Sequence, residues 1–300
     1  MIIRHWGRSA GLLAFSIGLT MEIGCNSPFQ VKTVYSPQLV VYGIIFGSDS
    51  TIGIRVETNS GNPVVDTTSG TQISGLAGMI TNRTTGQVTQ LIASFTDGQN
   101  LLRGVLKSKP GNVVSLSVDA DGYSQCTASS VILDSAVIYP ASWTESALRS
   151  PGNAEQDPQF TIYPSSHTMA VRLTISLEYQ GVTSDGKQIS GEYEVAPSYQ
   201  QDTTSYFLKI DGSITAITFS STGYSSVFSQ AVGPLSSGKI VAVVTLLQID
   251  ASLYDFYSIS NGFNDPFTMR TEKPVFTNVE GGLGFWGAAR YDSISIPVYP

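Results

Sequence analysis

The sequence predicts an all-β, mostly antiparallel protein. The expected architecture is an N-terminal β-sandwich of immunoglobulin or transthyretin type and a larger C-terminal β-sandwich or barrel-like domain, with one short helix. Three observations carry this. Charged residues make up only 13% of the chain, so the strong helix formers Glu, Lys and Arg are scarce. Apolar residues make up 41%, enough to bury a core. Short apolar or alternating runs recur along the chain, separated by turns rich in Gly, Pro, Asp and Asn. A length of 300 residues accommodates one large β domain or two ordinary ones.

The first element is a targeting segment over residues 1–24. Arg4, His5 and Arg8 form a basic start, and Gly11–Met21 is an apolar run too short to span a bilayer as a permanent helix. The run leads into Gly24-Cys25, a small residue ahead of a cysteine, as in a bacterial lipobox. Glu22 stands where that pattern has an aliphatic residue. Cys25 is therefore the expected lipidation site, with a polar tether over 25–37. Cys126, the other cysteine, is expected as a small buried hydrophobe on a strand.

Residues 38–134 are expected as the N-terminal sandwich. Leu39–Phe46 and Thr51–Thr58 flank a polar turn, and further strands are expected through "GLAGMITN", "QVTQLIASF", "LLRGVL", "VVSLSVDA" and "SSVIL". The second domain is expected over 135–300, opening with a Pro/Gly-punctuated loop. In "MAVRLTISLEYQG", Val171, Leu173, Ile175 and Leu177 alternate with polar neighbours as in a half-buried strand. "QISGEYEVA", "SYFLKI", "ITAITFS", Ile240–Ile249 and "ISIPVYP" continue the β series. The one expected helix is "DASLYDFYSISNG", capped by Asp250 or Ser252 and stopped at Asn261-Gly262.

Charge and residue counts exclude several functions. The chain carries a net charge of −7 and no Lys/Arg cluster, so it repels phosphate backbones and no nucleic-acid partner is expected. No C-x-x-C pair exists, and of the two histidines only His167 survives removal of residues 1–24. No metal site, no cofactor and no Ser-His-Asp relay are expected. "DADG" at Asp119–Gly122 resembles the opening of a calcium loop, but Ser130 stands where the closing Glu belongs. Glu145, Glu155, Asp157, Glu178, Glu192 and Glu194 are the carboxylates that a glycosidase-like site would draw on. The tyrosines Tyr193, Tyr199, Tyr206, Tyr224, Tyr254 and Tyr257 suit core packing or stacking on sugars.

Gly282, Gly284 and Gly287 spell G-x-G-x-x-G, the spacing of a dinucleotide fingerprint. That motif needs a following helix and second strand, and the residues after Gly287 read as a strand instead. Gly281, Gly282, Gly284 and Gly287 are therefore expected as a structural turn or bulge, with Phe285 or Trp286 packing beside it.

The lipobox-like start, "PQLVVYGII", "SLSVDADGY" and "ISNGFNDPFTMRTEKPVFTNVEGGLGFWGA" together resemble the Bacteroidota lipoproteins catalogued as domain of unknown function 4249 (DUF4249). The likeness covers nearly the whole mature chain. Its most specific parts are "NDPF" at Asn264–Phe267 and "NVEGGLGFWGA" at Asn278–Ala288. It implies an exported, lipid-anchored outer-membrane protein of the cell envelope, linked to TonB-dependent receptors, and it transfers no catalytic residues. The expected function is non-enzymatic: an accessory binding or docking partner in nutrient uptake. The alternatives are a surface hydrolase using paired carboxylates and a purely structural envelope protein.

Overall fold

The computed structural model describes residues 37–47, 49–59, 71–151, 156–195, 207–210, 214–262 and 277–298, without the side chains of 49, 50 and 259–262. The chain divides into two compact units, Met1–Ser36 and Pro37–Pro300. The first unit, with the targeting segment, Cys25 and most of the tether, lies outside the described residues, as do Glu155, Tyr199, Tyr206 and Asn264–Phe267.

Seven strands form the first half: β1 (Leu39–Phe46), β2 (Asp49–Thr58), β3 (Ala77–Asn82), β4 (Val88–Thr96), β5 (Gln99–Lys107), β6 (Val113–Asp119) and β7 (Cys126–Val131). The second half opens with β8 (Val137–Pro140), α1 (Thr144–Arg149) and β9 (Gln159–Tyr163). It continues through β10 (Ala170–Val182), β11 (Gln188–Val195), β12 (Leu208–Lys209), β13 (Thr215–Thr218) and α2 (Ser221–Val232). The chain ends with β14 (Ser237–Ile249), α3 (Ala251–Gly262) and β15 (Leu283–Val298). The fold is mostly β, as the sequence predicts. Among the described residues, two further helices join the expected α3. α2 in particular has a Ser-rich sequence with little helical preference, and it is held by burial of Tyr224 and Ala231 and by the Ser220 cap.

One twelve-stranded sheet runs β11-β10-β14-β15-β1-β2-β5-β4-β3-β6-β7, with β12 beside β10. All of its pairings are antiparallel except that of β1 with β15. The first half curls into two layers because β4 changes partner along its length. Thr89 and Leu91 pair with β3, while Ile92–Thr96 pair with β5. The curl brings β7 back to the start of β15, where Thr127 and Glu280 exchange two backbone hydrogen bonds of 2.9 and 2.8 Å. In the second half, a three-stranded sheet of β13-β9-β8 and α2 cover one face of β10, β14 and β15.

The expected boundary at 134/135 separates cores rather than sheets. One core joins Leu39, Ile54, Leu102 and Leu116 to Trp286, and the other joins Phe160, Leu173, Val244 and Phe219 to Ile296. β15 belongs to both. Its even-numbered Trp286 and Ala288 enter the first core and Ile294, Ile296 and Val298 the second, with Arg290 and Asp292 between them. The final strand, sequence-distant from β1, thereby welds the two halves into one sheet. Each large side chain buried in this way contributes about 1.5–3 kcal/mol.

Candidate binding face

The glycine run sits where backbones meet. Gly281 has φ +78°, and a side chain there would collide with the Gln125 carbonyl. Gly284 has φ +105°, and a Cβ would collide with the Val41 carbonyl. A Cβ on Gly282 would fall 2.7 Å from the Leu39 carbonyl oxygen. Only Gly281 and Gly282 lie in the turn, whereas Gly284 and Gly287 lie within β15, so the expected single turn is a turn followed by a crowded strand. Trp286 packs as expected in kind. Its ring lies over Gly43, its partner across β1, where a Cβ would come within 2.7 Å of two ring carbons.

Gly287 has a different role. A Cβ there would lie 2.8 Å from Leu253 Cγ and 2.9 Å from Asp250 Oδ1, so its absence lets the first turn of α3 sit down on β15. Of the two expected helix caps, Asp250 and Ser252, it is Asp250 that caps α3. Its Oδ1 accepts from Leu253 N at 3.0 Å, and its Oδ2 accepts from Ala288 N at 2.9 Å and from Ser130 Oγ at 2.8 Å. Burial pushes this carboxyl above the ordinary carboxylate range, and the hydrogen bonds it accepts oppose that rise. One side chain thus ties β7, α3 and β15 together.

The junction between the halves is pinned by a polar network. Arg290 Nε lies 3.2 Å from Asp292 Oδ1, and its Nη2 donates to Ser135 Oγ at 2.6 Å. Asp292 Oδ2 accepts from Ala136 N and from Gln248 Nε2. Gln248, fully buried, accepts from Ser165 N and Thr168 Oγ1. These bonds fix the segment from Asp134 to Ala136 and the "PSSHT" turn, in which His167 is exposed and Ser165 Oγ accepts from Asp134 N.

Among the described residues, the sequence-selected acids do not face one another across a cleft. Asp119 accepts from Gln125 and Asp121 from Ser74, fixing the "DADG" turn at Gly122, φ +82°. Glu145 pairs with Arg149, and Asp157 accepts from Ser221 N. Glu178 and Glu192 stand opposite one another on β10 and β11, an arrangement of like charges side by side rather than across a cleft. Among the described residues no three His, Cys, Asp or Glu side chains group to hold a metal. Tyr193 stacks on Tyr179 beside the second core, Tyr224 is buried with its hydroxyl donating to Leu148 O, and Tyr254 and Tyr257 lie on α3. Cys126 is buried, and burial pushes its thiol up.

What remains is a face that the sequence did not single out. α3 covers one end of the outer face of β1, β15, β14 and β10, packing Leu253 and Phe256 over Phe285 and Ala289. Beyond the helix, none of the described residues covers the outer face. Tyr291 is 59% exposed and stacks on Phe46, with ring centroids 5.8 Å apart and planes 12° off parallel. In register beside Tyr291 come Leu247 on β14 and Arg172 on β10, and the next row is Ser293, Thr245 and Thr174. Arg172 Nη2 donates to Glu194 Oε1 at 2.9 Å. Arg172, Thr174, Glu194, Thr245, Leu247 and Tyr291 line a shallow cavity of about 110 Å³. The odd-numbered pattern of β15, apolar to Ala289 and then Tyr291, Ser293 and Ser295, is the sequence signal that α3 stops and an open face begins.

No helix among the described residues is long and apolar enough to cross a membrane. No family model matches the chain, and no curated protein matches it. Solved structures similar to parts of it include the adhesin InvE of Yersinia pseudotuberculosis, at 10% identity and TM-score 0.23, covering 88% of this chain and 58% of that one. The three N-terminal domains of the outer capsid protein Hoc of bacteriophage RB49 match at 11% identity and TM-score 0.24, covering 71% and 63%. The FN1-FN3 domains of chicken CNTN1 match at 9% identity and TM-score 0.25, covering 88% and 67%. The chain thus spans about six-tenths of the first two proteins it matches.

Proposed function

We propose that this chain is a non-catalytic lipoprotein of the cell envelope that acts as an accessory binding or docking partner in TonB-dependent nutrient uptake. The observation that supports a binding role is the open outer face beside α3. There an exposed aromatic stack, hydroxyls and an ion pair flank a cavity. Such a face offers contact area and hydrogen bonds, and its lining carboxylate, Glu194, is held in the ion pair with Arg172. It lies past the end of β1, roughly 23 Å along the strand from the residue where the chain enters the fold, at about 3.3 Å per residue. Affinity capture of the tagged full-length protein from detergent-solubilised native envelopes tests the reading. Stoichiometric co-purification of an outer-membrane receptor is expected. Recovery of the protein alone at receptor-preserving detergent concentrations would count against docking.

A further inference from the structure

We propose that the outer face beside Tyr291 is a subsite for a neutral pyranose ring of an oligosaccharide. The proposal deepens the binding reading above and rests on it. Three features select this chemistry. Tyr291 is 59% exposed and meets Phe46 in an offset stack, which leaves much of its ring to stack on a flat ligand face presenting C–H groups. Beside it, Thr174 and Thr245 each offer a donor and an acceptor, and the Arg172–Glu194 pair offers guanidinium donors next to carboxylate acceptors. A ligand carrying neighbouring hydroxyls satisfies such mixed donors and acceptors, whereas a ligand of one charge would have to break the ion pair.

The charges on the rest of the face point the same way. Glu178, Glu192 and Glu194 outnumber Arg172 and Lys239 on this face, which disfavours a phosphate, sulfate or uronate, and a cation would have to compete with Arg172 for Glu194. The cavity of about 110 Å³ is shallow and open, so it takes one ring edge-on with the chain continuing over the hydroxyl-rich row of Ser293 and Ser295. A partner protein's apolar anchor would call for a deeper, enclosed pocket.

The test uses the full-length protein in detergent, screened on an array of neutral, sulfated and uronate-containing oligosaccharides together with unrelated peptides, then titrated calorimetrically against the retained members. Retention of neutral members alone is expected. Tyr291→Ala should weaken binding about tenfold, the loss of one aromatic stacking partner. Thr174→Val and Glu194→Gln should each weaken it several-fold, and Tyr139→Ala, an exposed tyrosine on β8, should leave it unchanged. All four variants should melt like the parent. Retention of no neutral member, preference for acidic members or peptides, or binding that survives Tyr291→Ala would overturn the site. A receptor that co-purifies while no saccharide binds would sink this inference and leave docking intact. Saccharide binding that depends on Tyr291, with no receptor captured, would do the reverse.

Discussion

Asp250→Asn isolates the one side chain that holds three elements together. The parent carboxylate accepts two backbone N–H groups through different oxygens, Leu253 N on Oδ1 and Ala288 N on Oδ2, and also the Ser130 hydroxyl. An asparagine has one carbonyl oxygen. If it caps α3, its NH₂ faces the Ala288 N–H, and the Ser130 hydroxyl can turn to accept but Ala288 cannot. One buried donor is left unmet, which costs about 1–3 kcal/mol. Asp250→Ala loses all three bonds and should cost more, while Ser130→Ala removes one hydroxyl bond and should cost about 0.5–1.5 kcal/mol. Urea unfolding followed by circular dichroism measures these values, and each kcal/mol should lower the Tm by about 2–4 °C for a chain of this size. The pH dependence supplies a second arm. Burial raises the folded-state pKa of Asp250 above its ordinary 3.8, so the folded state holds this proton more tightly than the unfolded chain does. As pH falls from neutrality through the raised pKa toward 3.8, the parent should gain stability relative to Asp250→Asn. If Asn proves neutral, the keystone role is refuted; if the parent loses ground to it on acidification, the hydrogen bonds outweigh burial and the raised pKa is refuted.

Three other perturbations check the remaining arguments. Gly284→Val places a β-branched side chain at φ +105° against the Val41 carbonyl and should cost at least about 1–3 kcal/mol of stability. Melting temperatures should be unchanged by millimolar NAD or ATP in parent and variant alike, and a nucleotide-dependent rise in the parent would revive the dinucleotide reading. Trp286→Ala should cost about 3–5 kcal/mol by opening a cavity in the first core. Trp286→Phe should cost distinctly less, because the buried indole N–H has no hydrogen-bond partner and leaves with the substitution; equal losses would contradict the packing. Cys25→Ser should move the protein from the detergent phase to the aqueous phase with its melting curve intact, and unchanged partitioning would sink the lipid anchor.

Local pattern made the strands legible. Leu39–Phe46 was bounded correctly because its apolar alternation and flanking turn residues are properties of eight neighbouring residues. The α3 helix was legible for the same reason, with Asp250 as its cap. α2 was not, since Ser, Gly and Val predict no helix and only the pocket around Tyr224 supplies the stabilisation. The strand that follows the glycine run is legible, because "ISIPVYP" has the pattern of a strand rather than a helix. Why each glycine is required was not legible: Gly284 answers to Val41, Gly281 to Gln125 and Gly287 to Asp250, all partners distant in sequence.

The β class, the acidic charge, the position of most strands and the scarcity of histidine and cysteine all follow from composition and short-range periodicity. That β15 runs parallel to β1 and joins two cores in one sheet depends instead on long-range contacts. Strand pairing is a contact between residues hundreds of positions apart, and a period-two pattern fixes which face is buried but not which strand lies alongside. The open face follows from the same cause. Phe46, Tyr291, Leu247 and Arg172 come from four strands, and nothing in any one of them signals the other three until the sheet sets them in a row.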